Sequence, residues 1–342
     1  MEKIVIDGAT GFSQILVGER LANVMQYLPQ NRVFVITDSN LASLYQEEFP
    51  DYPVFIVDPG EASKDFDVMI RIWHWLLGQG ADRTSFILAI GGGVVCDLAG
   101  FVASTFMRGI GFGFVATSLL AQVDASVGGK NGVNLGGYKN IIGTFTQPSF
   151  VICDTQMLRT LPGEEYCNGM AEVIKHALIK DADKLDFLKE NRTALLNRDS
   201  AAINEIVSRS VKIKAAVVQA DERETGQRRL LNFGHTWGHA IEKVCKIPHG
   251  QAVSLGMIFA CELSVHMGYL APAFVSEIAE LLDQYGLPVQ RDLDKKMVFE
   301  ALLKDKKKEN RSIHYVLLKK PGEAFVEELS VKYLEKFVFE SN

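Results

Sequence analysis

Cysteine is scarce and never clustered. The five cysteines, Cys96, Cys153, Cys167, Cys245 and Cys261, are odd in number, widely spaced and without a CxxC pair. Neither a disulfide framework nor a thiolate zinc site is indicated, so most of them are expected as small buried hydrophobes. Long apolar runs are missing too: none reaches the roughly 18 residues of a membrane span. The opening MEKIVIDGAT has acids where a signal peptide would have its basic region, which predicts a soluble, cytoplasmic protein. There is no basic excess. The 36 Lys and Arg against 42 Asp and Glu leave a net charge of −6, which argues against a general binder of nucleic-acid backbones. Internal repeats and low-complexity segments are also lacking, and KDKKKENR at 304 to 311 is the one dense charge cluster.

The 342 residues, with 47% apolar and 23% charged composition, are those of an ordered globular chain, and at roughly 150 residues per domain they suggest two domains. Up to residue 154, short β-rich runs alternate with helical patterns: RVFVITD (32–38), PVFIVD (53–58), SFILAI (85–90), FGFVAT (112–117) and FVICD (150–154). Continuous apolar strands separated by helices such as FDVMIRIWHWLLGQG (66–80) predict a parallel sheet covered on both faces. From Gly163 onward the patterns become long and helical, with HYVLLK (314–319) as the single late strand candidate. Leu161-Pro162-Gly163 interrupts the pattern, which predicts an α/β domain over 1–158 and a mostly helical domain over 159–342.

Three segments can carry chemistry. Gly91-Gly92-Gly93 stands between the strand SFILAI and the helical run VVCDLAGFVAST. It is either a phosphate-binding turn, with close backbone approach at a positive helix end, or a tight turn between packed elements. Asp38 closes an earlier strand, where an acid can hold a ribose hydroxyl, whereas Asp97 is equally consistent with an ordinary first-turn helix acid. The glycine-crowded stretch 124–145 carries Lys130, Lys139 and Asn140, as an anion cradle or as a solvated hairpin. On the helix around 170–180, Met170, Val173, Ile174, Ala177 and Leu178 form one stripe. Glu172, Lys175 and His176 fall opposite, a face that by itself goes to solvent or, alternatively, into a cleft.

The sharpest local signal is GHTWGHAIE (234–242) followed by His249-Gly250. His235 and His239 are one helical turn apart, with Gly238 and Glu242 on the same face. Three of seven histidines within fifteen residues suit a metal with nitrogen and carboxylate ligands; packed or exposed imidazoles are the plainer reading.

Taken in order, GGGVVCDLAGFVAS and MRG (91–109), SLLAQVDASVGGKNGVN (118–134), KNIIGTFTQP (139–148), TLP and GMAEVIKH (160–176), DERETGQRRLLNFGHTWGHAIE (221–242) and HGQAVSLGM (249–257) resemble the 3-dehydroquinate synthase family of sugar phosphate cyclases over nearly the whole chain. The resemblance implies a Rossmann-like NAD-binding α/β domain, a helical metal-binding domain, an active site in the cleft between them, and a homodimer. It implies cyclisation of 3-deoxy-D-arabino-heptulosonate 7-phosphate to 3-dehydroquinate in the shikimate pathway to chorismate and aromatic amino acids. In that reaction NAD oxidises a hydroxyl transiently, phosphate is eliminated, the ketone is reduced again, and ring opening and aldol closure follow.

Matched by motif, Glu172, His235 and His249 would hold Zn, with Co as an alternative, and His239 would be an active-site residue outside the ligand set. Asp124, Lys130, Asn140, Lys175, Lys214, Arg228 and Asn232 match substrate positions. Arg108 matches a residue lent by the neighbouring subunit, and one of Lys306 and Lys307, with Lys307 preferred, would reach the phosphate. For NAD the matches are Asp38, Glu61, Lys64, the turn Gly91, Gly92, Gly93, Val94 to Asp97, then Thr117, Ser118, Lys130, Lys139, Met157, Thr160, Leu161 and Glu165. Three departures from the family pattern touch no proposed ligand and bear on loop geometry rather than chemistry: Glu164 where Arg is usual, Ala116 where Pro is usual, and no glycine at 309–311. The alternatives are a sister cyclase, which would share most of these residues, a metal-dependent polyol dehydrogenase, and an NAD-binding regulatory relative without catalysis. The dehydrogenase needs no phosphate cradle, so Lys130, Asn140 and Arg228 weigh against it; the intact metal triad weighs against the regulatory relative.

Overall fold

The computed structural model describes residues 1–306 and 312–340. The chain divides into two compact units, Met1–Tyr166 with Ser200–Arg223, and Cys167–Asp199 with Glu224–Asn342.

In the first unit, strands β1 (Glu2–Gly8), β2 (Gly11–Val17) and β3 (Val33–Asp38) lead to helix α1 (Ser39–Tyr45), then β4 (Val54–Val57), α2 (Phe66–Gly78), β5 (Phe86–Gly91), α3 (Gly93–Thr105), β6 (Gly111–Ala116), the pair β7 (Lys130–Leu135) and β8 (Tyr138–Phe145), and β9 (Phe150–Cys153). Among the described residues, seven strands form one sheet in the order β1-β2-β9-β6-β5-β3-β4. It is parallel from β2 to β4 and closed at one edge by the antiparallel β1–β2 pair. The apolar runs of the sequence are β3, β4, β5, β6 and β9. Every residue of β5 and β9 is buried, as a parallel strand covered on both faces requires. The antiparallel pair β1–β2 is not among the expected strands: EKIVIDG of β1 interleaves acids and a lysine with its apolar residues and buries only Ile6, while GFSQILV of β2 buries Ser13, Ile15, Leu16 and Val17 but has a contiguous apolar run only at Ile15-Leu16-Val17. An outer strand buries little and carries a weak apolar signal.

The glycine-crowded stretch is neither loop nor tight turn over most of its length. It is an antiparallel hairpin in which Gly132 faces Gly143. A Cβ on Gly143 would lie 2.5 Å from the Asn131 carbonyl oxygen, so these glycines serve close strand approach.

Beyond β9 the helices are α4 (Gly163–Lys180), α5 (Ala182–Glu190), α6 (Arg192–Leu196), α7 (Ser200–Ala220), α8 (His235–Cys245), α9 (His249–His266), α10 (Ala273–Gln284) and α11 (Lys295–Lys306), followed by β10 (Ser312–Lys320), β11 (Glu323–Ser330) and α12 (Val331–Glu340). Helix α7 packs on β1 and β2 of the first unit. In the second unit, α8 and α9 pack closely, with Trp237 stacked on Phe259 at 4.4 Å between ring centroids. The late strand 314–319 is present within β10. Its antiparallel partner β11 has no sequence signal, since EAFVEELS buries only Leu329 and carries three acids. No helix among the described residues is long and apolar enough to cross a membrane.

Candidate active site

In the second unit, three helices converge on one carboxylate. His235 opens α8 and His249 opens α9, so both imidazoles project from helix N-termini, while Glu172 sits mid-helix on α4. Glycines set the spacing. Gly234 precedes α8 with φ +78°, and a Cβ on Gly250 would lie 2.5 Å from the Asn168 Cα. The Gly250 N–H donates to Asn168 Oδ1 at 3.1 Å, fixing the start of α9 against α4.

The result is a compact cluster. Glu172 Oε1 lies 3.4 Å from Nε2 of His235 and 3.4 Å from Nε2 of His249. Each ring is held by its other nitrogen: His235 Nδ1 lies 3.1 Å from the Phe233 carbonyl oxygen and His249 Nδ1 lies 3.2 Å from Glu242 Oε2. The Lys175 ammonium pairs with Glu172 Oε2 one helical turn away.

The charge states follow from this packing. Burial by itself would favour the neutral acid at Glu172, but the Lys175 ammonium and the two imidazoles hold it well below the ordinary carboxylate range. Burial, reinforced by Lys175, depresses His235 to about 3. Burial also works against a charged His249, yet hydrogen bonds to Glu172 and Glu242 raise it to about 9. The polar face of α4, which helical periodicity alone allows to solvent, is closed: Glu172, Lys175 and His176 are 0%, 1% and 0% exposed. The reason is tertiary, because α8 and α9 lay His235 and His249 on that face.

The remaining sequence candidates in this unit are placed as follows. Arg228 is buried, and Asn232 donates to Glu224 Oε1; both stand in the helical turn Gln227–Asn232. His239 is exposed, with its ring 5.2 Å from that of His235. Lys306 ends α11, and Lys307 lies outside the described residues.

In the first unit, Gly92 caps α3 without a side-chain acceptor, so the first amides of α3 carry no side-chain cap. A Cβ on Gly91 would meet Val95 at 2.4 Å and one on Gly93 would meet Ala125 at 2.9 Å. The turn is therefore tightly packed and also presents an open helix N-terminus. Thr117 N–H donates to the Gly91 carbonyl at 3.0 Å, setting the end of β6 beside that turn. Asp38 caps α1 through Oδ1, accepting from the amides of Asn40 and Leu41. Lys64 is buried and pairs with Asp97. Glu61 accepts from Asn134 Nδ2 at 2.8 Å, and Asn134 Oδ1 accepts from the Asn140 amide at 2.9 Å. This ties the segment of Glu61 and Lys64 to the β7–β8 hairpin.

On that hairpin Lys130, Lys139 and Asn140 are exposed, with Asn140 at φ +52°. Lys214 of α7 ion-pairs with Asp124 Oδ1 at 2.7 Å and also donates to its carbonyl. Thr160 Oγ1 lies 2.6 Å from Tyr45 Oη, Met157 is buried, and Ser118, Leu161 and Glu165 complete the expected set. Arg108 is exposed between Met107 (φ +48°) and Gly109 (φ +113°) and is itself at φ +73°. Two consecutive non-glycine residues in the left-handed region mark a strained, over-determined turn.

Sequence reasoning missed the residues that hold the site rather than face it. Glu242 lies two turns beyond His235 and so shares its face, but that spacing does not reveal that its carboxylate holds His249. Asn134 and the Phe233 carbonyl carried no signal, since backbone acceptors and local amides have no motif.

Solved structures share this fold. A 2-deoxy-scyllo-inosose synthase complexed with carbaglucose-6-phosphate, NAD+ and Co2+ aligns with a TM-score of 0.87 and 26% identity, covering 99% of this chain and 100% of that one. The 2-epi-5-epi-valiolone synthase of Streptomyces hygroscopicus subsp. jinggangensis, with NAD+ and Zn2+ bound, aligns with a TM-score of 0.87 and 25% identity, covering 100% of this chain and 99% of that one. The fold is that of the sugar phosphate cyclases.

Within that class the sequence is more specific. Residues 54–168 match the 3-dehydroquinate synthase N-terminal family and residues 169–308 match the 3-dehydroquinate synthase C-terminal family. The 3-dehydroquinate synthase of Dehalococcoides mccartyi is 40% identical over 328 residues, covering 93% of this chain and 91% of that protein. The chain belongs to the 3-dehydroquinate synthase family.

Proposed function

We propose that this enzyme converts 3-deoxy-D-arabino-heptulosonate 7-phosphate to 3-dehydroquinate and phosphate, with NAD as a recycled oxidant and Zn, or Co in its place, as the metal. One observation carries the metal assignment: Glu172 Oε1 stands 3.4 Å from both histidine Nε2 atoms. Two ligands each about 2.1 Å from a tetrahedral ion are themselves about 3.4 Å apart. Two imidazoles and a carboxylate, with the far nitrogens already engaged, leave an open position for a substrate oxygen. Glu172, His235 and His249 are the proposed ligands, within the domain assigned to 159–342.

The NAD site is assigned to the domain over 1–158. There the uncapped N-terminus of α3 after Gly91-Gly92-Gly93 suits a pyrophosphate, and the free edge of Asp38 suits a ribose. Lys64, Asp97, Glu61 and Thr160 complete the proposed contacts. When bound, the metal acidifies a coordinated hydroxyl, by up to roughly eight pKa units for water, while NAD removes and returns hydride.

The chain's own residues do the rest. Lys130 and Arg228 supply cations for a substrate that carries both phosphate and carboxylate. Lys214, oriented by Asp124, brings an ammonium to the reacting end, and Asn140 and Asn232 orient hydroxyls. Lys175 keeps Glu172 ionised. His239, exposed beside His235, is positioned to accept or return a proton at its imidazole. We propose a homodimer to which Arg108 is lent across the subunit boundary, its exposure on a strained turn being the supporting observation, and an enzyme that acts in the cytoplasm.

The test is direct. Purified, metal-loaded protein incubated with the heptulosonate phosphate and catalytic NAD should release inorganic phosphate and dehydroquinate in equal amounts. Failure to release phosphate, or NADH accumulating in proportion to substrate consumed, overturns the synthase reading. The second outcome would indicate a dehydrogenase.

A further inference from the structure

The two proposed histidine ligands present the same nitrogen, Nε2, to Glu172, and they differ in what holds the opposite side of the ring. His235 Nδ1 faces a backbone carbonyl, that of Phe233, at 3.1 Å. His249 Nδ1 faces a carboxylate, that of Glu242, at 3.2 Å. The local fold explains the second contact. Glu242 is in the last turn of α8; Lys246 ends that helix in the left-handed conformation at φ +51°, its amide donating to the Glu242 carbonyl at 2.9 Å. Pro248 then starts α9, so the chain folds back within a few residues and sets His249 beside Glu242. Half-buried at 14% side-chain exposure, the Glu242 carboxylate is screened less than a surface acid.

We propose that Glu242 is a positioning residue for the metal centre: its carboxylate accepts the His249 Nδ1–H, fixes that ring as the Nδ1-protonated tautomer, and thereby aims an electron-rich Nε2 at the ion. The inference rests on the reading of Glu172, His235 and His249 as ligands. An imidazole has one N–H in its neutral form, so whichever nitrogen faces an obligate acceptor carries the proton and the other is left free to ligate. A carboxylate acceptor also raises the donor strength of the ligating nitrogen, and outer partners of this kind change metal affinity by about 10- to 100-fold. A backbone carbonyl orients His235 in the same way but cannot be removed by substitution, which makes Glu242 the one partner of the pair whose contribution can be read out genetically.

A rival role is available within the same residues. His239, Glu242 and His249 also lie close enough to share a cation. In that case Glu242 would be a ligand to a separate ion, and His249 would bind through Nδ1.

The experiment is chelator competition with Zn2+ on the intact protein and on Glu242→Gln, Glu242→Ala and His249→Ala, with bound metal counted per chain. It is joined by NMR observation of ring N–H groups in 15N-histidine-labelled, Zn-loaded protein. The expected result is one metal per chain in the parent and in both Glu242 variants and loss of metal from His249→Ala, with a Kd raised about 10- to 100-fold in Glu242→Ala and a smaller rise in Glu242→Gln, whose amide oxygen still accepts the hydrogen bond. A slowly exchanging His249 Nδ1–H signal should be present in the parent and in Glu242→Gln and be lost in Glu242→Ala. A purely structural role would not produce this rescue together with the loss of that one signal. Glu242→Ala binding Zn2+ within about twofold of the parent, while His249→Ala releases it, overturns the positioning role and leaves the ligand set standing. A second equivalent of metal in the parent that vanishes in Glu242→Ala overturns it in favour of direct ligation. Retention of metal by His249→Ala at parental affinity overturns the ligand reading and this inference with it.

Discussion

A Cβ placed on Gly256 would lie 1.9 Å from the carbonyl oxygen of Gly234. At this point α9 touches the residue that precedes α8, backbone to backbone, and the contact sets how far His249 can stand from His235. Gly256→Ala should therefore act on stability and on the site together. Overpacking of this kind costs about 1–3 kcal/mol or more, so urea unfolding should show a lower midpoint and the purified variant should hold substoichiometric metal. A variant with parental midpoint and full metal content would show that the helix contact does not govern the ligand spacing.

His249→Ala and His239→Ala separate the metal ligands from their neighbour. The first should abolish metal retention through dialysis against a weak chelator. The second should keep one metal per chain and lose turnover by about 100-fold or more, the scale of a removed acid–base group. Metal analysis and phosphate release on the same samples check both, and the opposite pattern would reassign the two imidazoles.

Glu222 follows α7 and accepts hydrogen bonds from the Thr10 amide at 3.1 Å, from the Thr10 hydroxyl and from Gln147 at 3.4 Å. Burial opposes its charge, but these donors prevail and its pKa lies below the ordinary 4.5. The native carboxylate thus binds its proton less readily than the unfolded one. Its contribution is complete above about pH 5 and fades as pH falls through the folded pKa. Glu222→Gln should cost about 1 kcal/mol at pH 7, and the gap to the parent should shrink below about pH 4.5 in denaturant titrations. A gap independent of pH would contradict this.

Lys64 and Asp97 form a largely buried ion pair, with side chains 5% and 18% exposed. Lys64→Met leaves the Asp97 carboxylate without its partner in a site that already disfavours its charge. A loss of about 2–3 kcal/mol is expected, and part of it should return in the double variant with Asp97→Asn. Because both residues are proposed NAD contacts, fluorescence titration should show at least about tenfold weaker NAD binding in either single variant. Additive stability effects in the double-mutant cycle would deny the coupling.

Much of the first unit was readable because burial on both faces leaves an unbroken apolar run in β3, β5, β6 and β9; β4 carries such a run too, although at the sheet edge only Val57 of its four residues is buried. Other strands were not readable: β1 and β11 mix acids with apolar residues and bury little, and in β2 only the closing Ile15-Leu16-Val17 forms a contiguous apolar run. The glycines of 124–145 signalled a special backbone but not which one, since a loop and a closely packed hairpin both call for residues without a Cβ.

The chemistry divides in the same way. Residue type and local spacing determined by themselves that imidazoles cluster near 235–249, that a glycine turn opens a helix after a buried strand, and that cations are dispersed through an acidic chain. They could not determine that Glu172, more than sixty residues from His235, turns its face inward, because periodicity defines a polar face and is silent about what covers it. Nor could they assign Glu242 its partner or pack α7 on β1 and β2. Those are decided by how helices cross, and the crossing is set by contacts such as Gly256 against Gly234, where a missing side chain lets two backbones meet.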